Sequence, residues 1–354
     1  MNELVYKAKS KFSYRKLIYW ILVLTFFYFV SKYLTEIEQV LEALLQGRLE
    51  FILIAMLFEV LFYLYSTQFS IKLLRVNQIR VPYIKMLKFF TTSAFLNVSA
   101  PGGSLGGLIY QIKKVSVEAS AVTGKVFISL VMQVLNLYWS FMLLAFVSMW
   151  FVISHGMQYA TMFTAVMLFA LISGVTFGVY VLLREYPSKL LSWVNRFNVL
   201  HKWLKRLIKK YNGEGTDLWI EKKIVEIHDA TRKISETKGL WGEMLISGMM
   251  LHLIHATILY YVMSAFNIPF SPSLLVVGYT TMYLFTVISP TPLGIGVAEG
   301  FAQLVFVAFG VESEKALLAV LAFRAITVWI PMIIGFATFR FGERKSDASD
   351  NVRS

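Results

Sequence analysis

The sequence predicts an all-α polytopic membrane protein: six full spans plus two re-entrant broken-helix hairpins in inverted-topology repeats, with both termini cytoplasmic. Three observations carry that prediction: a composition too apolar for a wetted surface, apolar stretches of spanning length, and two such stretches broken at their centres by proline and glycine. Of 354 residues, 57% are hydrophobic and 16% charged, against roughly 45–50% and 25% in soluble domains. The polar residues cannot cover such a chain in water. The absence of cysteine excludes disulfides, thiolate metal sites, a Cys nucleophile and CxxC redox chemistry.

About 20 mainly apolar residues cross the hydrocarbon core as a helix, which satisfies its own backbone there. Such stretches run over Leu17–Leu34, Phe51–Ser70, Gly124–Val152, Ala160–Leu183, Trp241–Phe266 and Leu317–Phe339. The first follows Lys7, Lys9, Lys11, Arg15 and Lys16 as a signal peptide would. Ser31-Lys-Tyr-Leu-Thr-Glu36 offers no small-x-small cleavage site, so an uncleaved anchor is expected. Two more apolar regions, Ile84–Ile112 and Ser273–Phe309, are interrupted by Pro101-Gly-Gly-Ser-Leu-Gly-Gly107 and Ser289-Pro-Thr-Pro-Leu-Gly-Ile-Gly296. Proline removes a donor and clashes with the preceding turn, and glycine has little helix preference, so each region reads as two half-helices.

Charge supplies the orientation. The segments before Leu17, Lys72–Lys88, Lys113–Lys125, Arg184–Lys238 and from Arg340 onward hold 5, 5, 3, 13 and 4 Lys/Arg, 30 of the 34. Positive charge collects on the cytoplasmic face, so the net +13 is an orientation signal and calls for no nucleic acid. With both termini inside, the first broken region enters from the cytoplasm and the second from outside. The chain then divides into 1–48 (basic tail, anchor and external loop), 49–155 (first repeat), 156–183 (connecting span), 184–240 (cytoplasmic basic amphipathic helices), 241–341 (second repeat) and 342–354 (polar tail). In the cytoplasmic loop, Leu190 to Ile208 recur at helical spacing among lysines, an interfacial helix for anionic inner-leaflet headgroups. A second, mixed-charge helix runs from about Asp217 to Gly239.

Phe51–Phe151 overlays Trp241–Phe341 at an offset near 191, with helix, broken pair and long helix in one order. Pro101 falls on Pro292, Gly103 on Gly294 and Gln133 on Arg324. Inverted repeats with matching broken helices point to a midplane site. Pro101, Gly102, Gly103 and Ser104 at the first break, and Pro292, Gly294 and Gly296 at the second, are the expected backbone binding elements. Half-helix N-termini there would face an anion. Arg324 is the one cation inside a span, costly there and therefore a functional candidate. Glu299 is placed to pair with it, either fixing packing or orienting it toward a phosphodiester. Glu59 lies mid-span, and Gln133 and Asn136 share a helix face suited to interhelical bonding or headgroup contact. His252 and His255, also three apart, lack further ligands for a metal. Asn97-Val-Ser99 matches a glycosylation sequon but falls within the apolar region.

The run Pro292-Leu-Gly-Ile-Gly-Val-Ala-Glu299-Gly, followed by Leu321-Ala-Phe-Arg324 and Trp329-Ile-Pro331, resembles the transmembrane region of lysylphosphatidylglycerol synthases. Asn97 to Gly107 is similar to that family's first break. Two positions differ: Leu108-Ile-Tyr-Gln-Ile-Lys113 and Gln133 stand where the family often has arginines, so a symmetric arginine pair is not implied. The resemblance implies movement of a polar-headed phospholipid or polyprenyl-phosphate between leaflets of a prokaryotic inner membrane. It implies no catalysis and no cofactor, because the family's aminoacyl transfer uses a separate soluble domain. Membrane lipids are the expected partners, with a lipid-modifying enzyme beside them. An ion- or proton-coupled solute transporter, with Glu59 as proton carrier, and a lipid-presenting subunit of a glycosyltransferase or synthase are the competing readings. No Gly-x-x-x-x-Gly-Lys-Ser/Thr motif supports nucleotide drive within the chain.

Overall fold

A computed structural model describes residues 44–99, 105–156, 160–188, 216–289 and 291–351. The expected anchor at Leu17–Leu34, the amphipathic helix over 190–210 and Pro101, Gly102, Gly103 and Ser104 lie outside these residues. The described part is helical, without strands: α1 (Leu49–Val76), α2 (Tyr83–Ser99), α3 (Leu105–Glu118), α4 (Thr123–Ser154), α5 (Ala160–Glu185), α6 (Thr216–Glu236), α7 (Leu240–Ala265), α8 (Pro272–Ile288), α9 (Val297–Ala308), α10 (Ser313–Arg324) and α11 (Ile330–Asn351). A π-helical turn, Ala325–Trp329, joins α10 to α11. Five helices are long and apolar enough to cross a membrane: α1, α4, α5, α7 and the Ser313–Arg340 rod. They coincide with five of the six expected spans. The last helix continues to Asn351, into the expected polar tail, because no proline or glycine follows Gly342 to stop it.

Both broken regions form two helices, as the proline and glycine content demands. In each, the arms are antiparallel. Lys85 pairs with Glu118 at 2.6 Å, Gln111 Nε2 donates to Ser93 Oγ at 2.7 Å, and Gly107 N donates to Asn97 Oδ1 at 2.9 Å, zipping α2 against α3 from open end to break. The Phe285 and Phe301 rings stack at 4.0 Å between α8 and α9. Gly278 lies so close to Phe306 that a Cβ would meet its ring at 2.7 Å.

The two halves repeat in detail. Helix starts from 49, 83, 105 and 123 correspond to 240, 272, 297 and 313, separations of 191, 189, 192 and 190 residues. The helix ends agree as well. α1 and α7 close through left-handed residues Gln78 (φ 62°) and Asn267 (φ 53°), and α3 and α9 through Ser120 (φ 45°) and Gly310 (φ 84°). At all four ends the following N–H reaches back five residues: Ile79 to Leu74 O, Ile268 to Met263 O, Ala121 to Ser116 O and Val311 to Phe306 O. That bond defines a Schellman closure.

Between halves, Thr92 meets Thr338 at 3.0 Å, and Thr280 donates to Ser148 at 2.6 Å. Each contact joins the first arm of one broken pair to the long helix of the other half. α1 and α7 run antiparallel: Arg48 N donates to Ala265 O at one end, and Lys72 pairs with Glu243 at the other. The open end of α2/α3 packs with Leu74 and Val126, at the C-terminal end of α1. The open end of α8/α9 packs with Ile52 and Ala55, at its N-terminal end. Between them the C-terminal end of α2 meets the second break, where Leu96 and Val98 share an apolar cluster with Ile295, Ala325 and Trp329.

Candidate functional site

The second break is built around Arg324. After α8 the chain turns through Leu293 (φ 53°), Gly294 (φ 69°) and Gly296 (φ 82°) before α9 begins. Gly294 is required twice over: it is left-handed, and a Cβ there would lie 2.7 Å from Phe285 O and Thr286 Cα. Gly296 has open space around it, so only its φ selects glycine. Leu293 is left-handed without being glycine, a strained conformation that its surroundings must enforce.

Arg324 supplies that enforcement. Its Nη2 donates to Leu293 O at 2.7 Å, its Nη1 to Thr286 Oγ1 at 3.2 Å and its Nε to Glu299 Oε1 at 2.6 Å. One buried side chain therefore holds the last turn of α8, the break and the first turn of α9. Glu299 lies where a helix N-terminus favours a carboxylate. Its Oε2 has no hydrogen-bond partner among the described residues. Of the five guanidinium N–H groups, three are used here, leaving one on each Nη. Arg324 also stands immediately before the π turn, a helix irregularity that recurs at functional sites.

These groups border a cavity of about 330 Å³, near the lower end of the ~300–1,000 Å³ of small-molecule sites. The cavity is common to both halves: α2 and α3 contribute Ser93, Asn97 and Gln111, α4 contributes Gln133, α8 contributes Tyr279 and Thr286, and the last helix contributes Arg324 and Thr327. Phe62, Phe90, Leu137 and Phe323 form apolar parts of its wall.

Several expected site residues converge there and others do not. Arg324 and Gln133 line the cavity, and Glu299 and Gly294 stand directly behind it. Gln133 accepts from Ser70 Oγ and donates to Ser66 O at 3.2 Å, so it joins α4 to α1. Asn136 is turned away toward α7, where its Nδ2 lies close to Gly248 and has no hydrogen-bond partner among the described residues. Pro292 opens the 3₁₀ turn of the break. Glu59 is buried one layer behind the wall, with Oε2 3.4 Å from His255 Nε2.

Sequence reasoning weighed His255 only as a metal ligand and missed Thr286. His255 lines the cavity and stacks on Phe62 at 4.0 Å. Its neighbour His252 has its bonds made: Nε2 faces the Leu137 carbonyl at 3.0 Å, and Nδ1 faces Tyr279 OH at 2.6 Å. A carbonyl only accepts, so Nε2 carries the proton and the Tyr279 hydroxyl donates to Nδ1. No group of three or more His, Asp or Glu residues suited to a metal occurs among the described residues.

Five helices long and apolar enough to cross a membrane, and two broken helix pairs that meet at a shared, partly polar cavity, define a multi-pass helical membrane protein. The chain belongs to the family described as the lysylphosphatidylglycerol synthase TM region, whose family model matches residues 17–335. That stretch includes both broken pairs, the cavity, Glu299 and Arg324. No curated protein matches the chain.

Proposed function

We propose that the protein moves a polar-headed lipid, a phospholipid or polyprenyl-phosphate, between leaflets as a flippase or scramblase-like transporter without catalysing a reaction. The observation that carries this reading is the cavity shared by the two halves, with Arg324 at one wall and the second break beside it. The headgroup occupies the cavity while the chains stay in lipid. The two spare N–H groups of Arg324 bind its phosphate, Glu299 and Thr286 fix the guanidinium, and Asn97, Gln111 and Gln133 supply neutral donors opposite.

The topology follows from charge and length. α2 and α8 have 17 residues each, about 25 Å at 1.5 Å per residue, which is short of the ~30 Å hydrocarbon core. Each pair is therefore a re-entrant hairpin, and opposite open ends make them enter from opposite faces. Lys72, Arg75, Lys85, Lys88, Lys113 and Lys125 gather at the open end of α2/α3, and the positive-inside bias supports a cytoplasmic side for that end and for both termini. There the basic face meets anionic inner-leaflet headgroups and a lipid-modifying partner enzyme of a prokaryotic inner membrane.

The test is a leaflet-resolved translocation assay in liposomes across several phospholipid and polyprenyl-phosphate headgroups. A charge-assisted hydrogen bond contributes about 1.5–3 kcal/mol, so Arg324→Ala should slow translocation of phosphate-bearing lipid by ~10–100-fold. Wild-type protein that moves no lipid overturns the proposal, as does proton flux with a water-soluble solute and no lipid movement. An Arg324→Ala protein as fast as wild type removes Arg324 from the mechanism.

A further inference from the structure

The cavity carries no spare positive charge. Arg324 and His255 are the cationic residue types among its lining side chains, and Arg324 is already neutralised by Glu299 at 2.6 Å. A headgroup with a net negative charge would therefore enter a low-dielectric space without a counter-ion, which is costly. A zwitterionic headgroup brings its own cation and has no such requirement.

The missing charge can come from the pair behind the wall. Glu59 Oε2 and His255 Nε2 lie 3.4 Å apart, and each is buried without a hydrogen-bond partner among the described residues. A proton on either atom gives both a partner. The Phe62 ring, stacked on His255 at 4.0 Å, presents a π face to an imidazolium. The other titratable groups facing the pair are Tyr63 on α1, His252 on α7 and Tyr279 on α8. His252 has both ring nitrogens engaged. From α4 the nearby polar group is Gln133, which does not titrate, and from α2 the cavity receives Phe90 and Ser93. α6 packs near Leu73, at the far end of α1.

We propose that Glu59 and His255 form a proton-binding site that takes up one proton when an anionic headgroup enters the cavity and releases it when the headgroup leaves. With one proton the pair is neutral overall. With two, carboxylic acid and imidazolium, it carries +1 and balances one phosphate charge. The proton is delivered from bulk solution by hydronium or a buffer acid: one O–H or N–H bond breaks on that donor, whose conjugate base stays in bulk, and one forms on the pair. This inference rests on the lipid-transport reading and adds to it a selectivity by headgroup charge.

The experiment compares phosphatidylglycerol with phosphatidylcholine in the same liposomes across pH. The wild-type ratio of anionic to zwitterionic translocation should fall as pH rises, approaching about tenfold per pH unit, the limit for one proton. The Glu59→Gln/His255→Gln double variant, with folding checked by its elution and tryptophan fluorescence, should lose the pH dependence of the ratio. A pH-independent wild-type ratio, or a double variant with the wild-type profile, overturns the proposal and leaves lipid transport standing. Movement of neither lipid overturns the transport reading instead. The proton site is then read by calorimetry of short-chain phosphatidylglycerol binding in two buffers of different ionisation enthalpy. One proton taken up per lipid supports the site, and none, or no binding, overturns it.

Discussion

Arg324→Ala would remove three hydrogen bonds at once and leave Glu299 without its cation. Arg324 is 3% exposed and Glu299 13%, so the pair is little screened by solvent. Removing one partner of a buried pair costs about 3–5 kcal/mol, whereas replacing both by apolar residues of similar volume is often neutral. Arg324→Met and Glu299→Met should therefore each destabilise the protein, and the double variant should cost much less than the sum. The structure adds a bias between the single variants. Without Glu299, the guanidinium keeps Thr286 Oγ1 and Leu293 O as acceptors. Without Arg324, the left-handed Leu293 also loses the donor that holds its carbonyl, so the arginine variant should be the weaker of the two. Equilibrium unfolding in mixed micelles, followed by tryptophan fluorescence, gives the four corners of the cycle. The expected coupling is about 2–3 kcal/mol, near the top of the range for residues in contact. Additivity within about 0.5 kcal/mol, the behaviour of independent sites, would refute the assignment of Arg324 as the tie across the second break.

Three further outcomes follow from particular contacts. Gly294→Ala should cost more than Gly296→Ala in the same assay: both incur about 1–2 kcal/mol for a left-handed residue, but only the first drives a Cβ to 2.7 Å from backbone atoms. Gly107→Ala would place a Cβ 2.4 Å from Asn97 Oδ1 and 2.5 Å from Ser93 O, forcing α2 and α3 apart. A loss of about 1–3 kcal/mol, typical of overpacking, is expected, with deuterium exchange rising in these two helices and not in α8 and α9. Because the chain has no cysteine, single cysteines at Lys88 and Glu312 can be labelled with impermeant reagent in oriented vesicles. They should react from opposite faces, and labelling from one face would refute opposed hairpins.

The helices were legible because their signals are local. Apolar runs of spanning length marked α1, α4, α5, α7 and the last rod, and the proline and glycine clusters marked both breaks within a few residues. The proximity of Glu299 to Arg324 was also legible, since a short connection ties α9 to α10. The environment of Glu59 was not. Its partner His255 lies 196 positions away in sequence, and the apposition depends on α1 and α7 packing antiparallel along their lengths. The π turn was equally hidden, because Ala325-Ile-Thr-Val-Trp329 has no residue that forbids an α-helix. Gln133 and Asn136 share a helix face by spacing, yet only the first reaches the cavity, a matter of where α1 and α7 divide that face between them.

The backbone of this protein is more symmetric than its chemistry, and that difference has a functional consequence. The helix starts and all four Schellman closures repeat at nearly constant spacing, and so does the pairing of Thr92 with Thr338 against that of Thr280 with Ser148. At the corresponding positions of the long helices, however, stand Gln133 and Arg324. Arg324 grips its own broken pair, so the second break is pinned by a charge. Gln133 bonds to Ser66 and Ser70 of α1, and the first pair is held near its break by the neutral Asn97–Gly107 and Gln111–Ser93 bonds, its ion pair Lys85–Glu118 lying partly exposed at the open end. Two hairpins of one architecture thus differ in what releases them. A neutral hydrogen bond can be exchanged for water or a headgroup hydroxyl at modest cost, whereas separating the buried ion pair costs several kcal/mol. A cavity built this way has one fixed wall, which carries Arg324, and one yielding wall. Opening should therefore proceed by movement of α2 and α3, on the face toward which the basic end of the molecule points.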